Sequence, residues 1–81
     1  MKSKIGVIAI VVEDFDRSQD VNQVLHEFGS IIVGRMGIPY RERGVFVISL
    51  TVDGTEDNLS ALTGKLGNIP SITVKAALTK K

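Results

Sequence analysis

An α+β sandwich with the element order β-α-β-β-α-β is what these 81 residues predict. Three observations lead there. A β-branched apolar run, Ile5–Val12, stands near the start. Two apolar stripes at helical spacing follow, Val21/Val24/Leu25/Phe28 and Leu59/Leu62/Leu66. Between them, Gly44–Asp53 alternates strictly, with Val45, Val47, Ser49 and Thr51 on one side and Phe46, Ile48, Leu50 and Val52 on the other.

Ile5–Val12 has no polar alternation and reads as a strand buried on both faces. Asp16 is placed to cap a helix over Arg17–Phe28, with Gln19 and Asp20 in its first turn. Val21, Val24, Leu25 and Phe28 fall at i, i+3, i+4 and i+7, one stripe for a core. Gly29 is expected as a left-handed stop. Ser30–Met36 reads as the second strand, Gly37–Arg43 as a connection, and Gly44–Asp53 as the third strand. That connection is too short for a crossover helix, so the two strands should form an antiparallel hairpin. Asp53-Gly54 marks a turn and Thr55 a helix cap, with Glu56 and Asp57 in the first turn. Gly67-Asn68 and Pro70 end this helix. Gly64 inside it suggests a close approach by another backbone. Ile72–Leu78 is the last strand. The order describes a split βαβ, or ferredoxin-like, sandwich: a four-stranded antiparallel sheet with two helices on one face. One domain over residues 1–81 is expected.

Composition narrows the function. Ten basic and nine acidic residues leave a net charge of +1, which disfavours a direct nucleic-acid binder. The absence of cysteine excludes a disulfide scaffold, a thiolate metal site and a cysteine nucleophile, and the single histidine excludes a multi-histidine site within one chain. No Walker or Rossmann pattern occurs. The eight apolar-leaning residues of Ile5–Val12 fall short of the about 20 needed to cross a bilayer. Glu13-Asp14-Phe15-Asp16 is a poor cleavage region for an export signal. The expectation is a cytoplasmic protein with no membrane association.

A sandwich of this order leaves one sheet face to water. Here strand one is apolar on both faces, with Ile8, Ile10 and Val12 on one and Ile5, Val7, Ala9 and Val11 on the other. Strand two likewise sets Ile31 and Val33 opposite Ile32. Hiding roughly 600 Å² of such surface would supply on the order of 15 kcal/mol before the costs of association. A second copy is the simplest cover, so a homo-oligomer, dimer or tetramer, is expected.

Three segments carry a more specific signal. They are Gly34-Arg35-Met36-Gly37-Ile38-Pro39-Tyr40-Arg41-Glu42-Arg43-Gly44, Val52-Asp53-Gly54-Thr55 and Leu62-Thr63-Gly64-Lys65-Leu66-Gly67. On these the chain resembles, over nearly its whole length, the small regulators of the iron-only hydrogenase system. The resemblance implies a fold like that of ACT domains and of the C-terminal domain of the nickel-responsive repressor. Such domains dimerise or tetramerise through their sheets and bind small effectors at subunit interfaces. ACT domains often bind amino acids between the loop after strand one and the start of helix one, here Glu13-Asp14-Phe15-Asp16. That segment lacks the glycine common in amino-acid binders. The nickel site, built from several histidines and a cysteine, does not carry over to a chain with one histidine and no cysteine. The repressor's DNA-reading segment is absent too, so control of transcription would need a separate DNA-binding partner.

The candidate ligand-binding residues are Arg35, Gly37, Tyr40, Arg41, Arg43, Asp14 and Asp16. Arg35, Arg41 and Arg43 can hold a carboxylate or phosphate through forked donors, with backbone N–H groups near Gly34 and Gly37 assisting. The plainer reading is a hairpin loop whose arginines pair with Glu42 or with a neighbouring subunit's acids. Glu13, Asp14 and Asp16 offer oxygen ligands for Mg²⁺ or Ca²⁺, or simply cap a helix. His26 would serve as a metal ligand only with copies from other chains, and otherwise is a half-exposed helix residue. No cofactor and no catalytic residue is expected. The sequence therefore predicts an effector-sensing oligomer at an interface around Gly34–Gly44, with a ligand-free interaction module for a hydrogenase-system protein as the alternative.

Overall fold

The computed structural model describes residues 3–79. Its strands are β1 (Lys4–Val12), β2 (Ile32–Tyr40), β3 (Val45–Gly54) and β4 (Ile72–Leu78), and its helices are α1 (Ser18–Glu27) and α2 (Glu56–Gly67). The four strands form one sheet in the order β2-β3-β1-β4. Every neighbouring pair is antiparallel. The chain has the ferredoxin-like α+β architecture that the periodicities predict.

Alternation along each central strand decides which side is covered. Ile8, Ile10 and Val12 of β1 and Ile48, Leu50 and Val52 of β3 point to the helices and are buried. Val21 and Leu25 of α1 and Leu59, Leu62 and Leu66 of α2 complete this core. Burial of the apolar stripe is what stabilises helices this short, since isolated helices of their length are marginal in water. The two helices are also joined at their surface. Lys65 Nζ donates to Glu27 Oε2 at 2.8 Å and lies 5.9 Å from the centre of the Phe28 ring.

Local signals differ from the sequence reading at three places in the helical layer. Asp14, not Asp16, does the capping: its Oδ1 accepts from the Asp16 backbone N–H at 3.0 Å, and a tight turn over Phe15–Arg17 leads into α1. Thr55 caps α2 as expected, accepting from the Asn58 N–H at 3.2 Å. Gly29 is not left-handed; it opens a second tight turn, Gly29–Ile31, which carries Ile31 into the core. Among the described residues nothing outside its own helix lies within 4 Å of where a Gly64 Cβ would stand, so the expected close approach of another backbone is not seen there.

The largest difference is β2. Gly37–Tyr40, expected as connection, continues the strand, and only Arg41–Arg43 and Gly44 make the turn. Pro39 is tolerated because β2 is an edge strand with a free flank. The hairpin runs past the last β1 pair, Val12 with Phe46, and lengthens the molecule to 41 × 19 × 17 Å.

Candidate functional site

The sequence-predicted residues do not form one cluster. Gly37 and Tyr40 lie on β2, and Arg41 and Arg43 lie in the turn at its end. Asp14 and Asp16 follow β1 at the same end of the sheet, since Val12 pairs with Phe46 and Phe46 with Pro39. Among the described residues no ion pair joins these acids to Arg41 or Arg43. Gly37 has a steric role: the Phe46 ring lies 3.1 Å from where its Cβ would stand. No group of three or more His, Cys, Asp or Glu is placed to hold a metal among the described residues.

Arg35 stands apart, in the wall of a groove between α1 and β2. The groove has a volume of about 460 Å³. Asn22, Leu25 and His26 of α1 form one wall, Gly29 closes the end, and Ile32 to Arg35 form the other wall. The Arg35 Nη2 donates to Asn22 Oδ1 at 2.8 Å. That bond spans the groove, and among the described residues no other hydrogen bond engages the guanidinium. No carboxylate lines the groove among the described residues. A guanidinium held by a neutral amide, beside Leu25 and Ile32, suits an anionic head group with a small apolar body.

A β-bulge builds this wall. Ile32 pairs with Val52, Gly34 with Thr51 and Arg35 with Leu50, so Val33 is an extra residue in the ladder. Plain alternation would put Ile32 and Arg35 on opposite faces of the sheet. The inserted Val33 resets the register and lets both face the helix side. Val33 itself turns out to solvent. Asn22 and the bulge were not legible in the sequence. An extra residue in an apolar run leaves no periodic trace, and an exposed asparagine on a helix looks like any other surface polar residue. His26 was noted, and it lies in the groove, exposed and without a metal-binding cluster around it.

The opposite sheet face is apolar and uncovered. Ile5 is 55% exposed, Val7 53%, Met36 59%, Ile38 49% and Tyr40 46%. The pairing register puts all five on the side away from the helices. In the single chain β1 is therefore buried on one face only. No helix among the described residues is long and apolar enough to cross a membrane.

Comparison with known proteins agrees with the fold and sharpens the family. The uncharacterized protein TM1266 from Thermotoga maritima superposes with a TM-score of 0.91 at 36% identity, covering 98% of this chain and 100% of that one. The ACT domain of GTP pyrophosphokinase from Chlorobium tepidum has a TM-score of 0.79 at 23% identity, covering 94% and 100%. The C-terminal domain of the MgtC protein from Mycobacterium tuberculosis has a TM-score of 0.73 at 10% identity, covering 95% and 88%. These last two speak for the fold alone. No curated protein sequence matches the chain. The family model TM1266-like, described as "Iron-only hydrogenase system regulator, putative", matches residues 4–76. With that match over most of its length, the chain belongs to the TM1266-like family of iron-only hydrogenase system regulators.

Proposed function

We propose that this protein is an effector-sensing homo-oligomer with no chemistry of its own, taking a small carboxylate- or phosphate-bearing ligand in the groove between α1 and β2. The observation that carries the reading is Arg35, held by Asn22 at 2.8 Å over an apolar floor with no acid beside it. Membership of a regulator family and the ACT-like fold support a role in control rather than catalysis. The groove borders the free edge of β2, so a neighbouring subunit on that edge would complete it. Binding there would couple to association, since a ligand that favours one arrangement of copies shifts the population toward it.

Thermal shift and calorimetry with amino acids, dicarboxylates, nucleotides and divalent metals test this reading. At least one anionic probe should raise the melting temperature of the wild type. Arg35→Met should weaken that probe by about ten- to a hundredfold, the worth of a charge-assisted hydrogen bond of about 1.5–3 kcal/mol. A flat screen contradicts effector sensing.

A second reading rests on the hairpin end. Arg41 and Arg43 are exposed in their turn beside Tyr40, and neither is in an ion pair among the described residues. Such a tip suits docking onto an acidic surface of a hydrogenase-system protein or of a separate DNA-binding partner. Under that reading the Arg41→Glu/Arg43→Glu variant loses the partner in co-purification from the native host, while the ligand screen stays flat.

A further inference from the structure

The apolar face is unevenly built. At one corner Met36, Ile38 and Tyr40 of β2 lie beside Val45 and Val47 of β3. The opposite corner holds a shallow depression of about 320 Å³, lined by Ile5, Val7, Thr51, Ala77 and Thr79 with Gly6 and Leu78 at its margin. The two corners are separated in both directions of the sheet. β2 and β4 are its opposite edges. Tyr40 pairs with Val45, beyond the last residue of β1, whereas Ile5 pairs with Asp53 at the far end. Between the corners lie Ala9 and Ser49, small residues and direct cross-strand partners. Among the described residues the charged groups of this face, Asp53 and Lys75, stand at a strand end and on an edge strand, where an interface has its polar rim.

We infer that two copies stack open face to open face about a two-fold axis lying between the sheets and passing over Ser49. The Met36–Ile38–Tyr40 corner of each copy then fills the hollow of the other. This rests on the homo-oligomer reading above and adds the register. A patch that carries both a protrusion and a matching recess can bind itself, which is the requirement for an isologous interface. An in-plane axis at right angles to the line joining the corners exchanges them, and it crosses the strands of the two sheets steeply, as in orthogonal sheet packing. The available area suffices. Four strands about 4.8 Å apart and about 30 Å long give roughly 550 Å² of flat face before any side-chain relief, within the range of a small to standard interface of up to about 800 Å² per partner.

Sedimentation equilibrium on the wild type and two variants, with cross-linking of cysteine variants, tests the arrangement. Ala77→Phe adds apolar area but fills the hollow, so it should weaken association at least tenfold. Ile38→Ser empties part of the protruding corner and should weaken it similarly. Far-UV circular dichroism checks that both remain folded; each site is on the uncovered face. The chain has no cysteine, so labelling is unambiguous. Ser49→Cys should cross-link to its mate through a short bifunctional maleimide, and Asp53→Cys should not. A wild-type assembly that Ala77→Phe leaves as tight or tighter, with no cross-link at Ser49→Cys, overturns this register and leaves the homo-oligomer reading standing. A monomeric wild type overturns both.

Discussion

Gly6 lies on β1 where β4 passes closest. A Cβ there would stand 2.7 Å from the Ala77 carbonyl oxygen and would also run into the Leu78 side chain. The oxygen belongs to backbone held in the ladder and cannot step aside cheaply. Gly6→Ala should therefore cost about 1–3 kcal/mol, the usual penalty of overpacking, read as a lower denaturation midpoint at unchanged slope. Lys4, two residues earlier, donates to Glu56 Oε1 at 2.7 Å. That hydrogen bond, and the charge behind it, hold the Glu56 carboxyl below its ordinary value of 4.5. A carboxyl whose folded pKa is depressed contributes stability above its unfolded value and loses it as pH falls through the folded one. The contribution thus fades below pH 4.5, and Lys4→Met should move the Glu56 titration, followed by NMR, up toward that value. At Arg35 the chemistry is that of a fork held on one side and open on the other. Its replacement should leave the fold intact, because the side chain is exposed and its one bond is to a surface amide.

Among the elements, α2 gives the clearest stability predictions. Thr55→Ala removes the side-chain acceptor of the Asn58 N–H and should cost about 1 kcal/mol. Gly64→Ala should stabilise by up to about 1 kcal/mol, because the position is exposed, helical and has open space where the methyl would go. Thermal melts of the two variants should move in opposite directions. Helix and strand identities were legible because each stripe repeats along its own period: Leu59, Leu62 and Leu66 in α2, and Ile48, Leu50 and Val52 in β3. Element ends were less so. Asp14 and Asp16 both suit a cap, and only the backbone path shows which oxygen reaches a free N–H. Pro39 and Gly37 in β2 carry turn chemistry in isolation. Pairing with β3 at an edge, and the space Gly37 leaves for the Phe46 ring, override that preference. The site suffered most. The arginines were grouped by closeness in sequence, but strand geometry carries Arg35 to the helix side and leaves Arg41 and Arg43 at the far tip.

At the scale of the whole molecule, one layer of helices covers one face of the sheet, and among the described residues nothing covers the other. Monomers seldom leave side chains such as Ile5, Val7, Met36, Ile38 and Tyr40 gathered on one face. A chain of this size also buries only roughly 60–65% of its unfolded surface, so association adds stability where the core is thin. Effector sensing fits the same geometry: the groove beside Arg35 opens at the edge of the sheet, where a neighbouring copy would be within reach of a bound ligand. Charge placed on the face should separate the copies without unfolding them. Val7→Glu is expected to give a monomer with the wild-type circular dichroism spectrum and a lower melting temperature.

The most direct test of this account is the mass of the wild-type protein at micromolar concentration, measured by sedimentation equilibrium in physiological salt. The account predicts a dimer or a higher multiple, falling to the chain mass in Val7→Glu. A wild type that sediments at 8.8 kDa would contradict it.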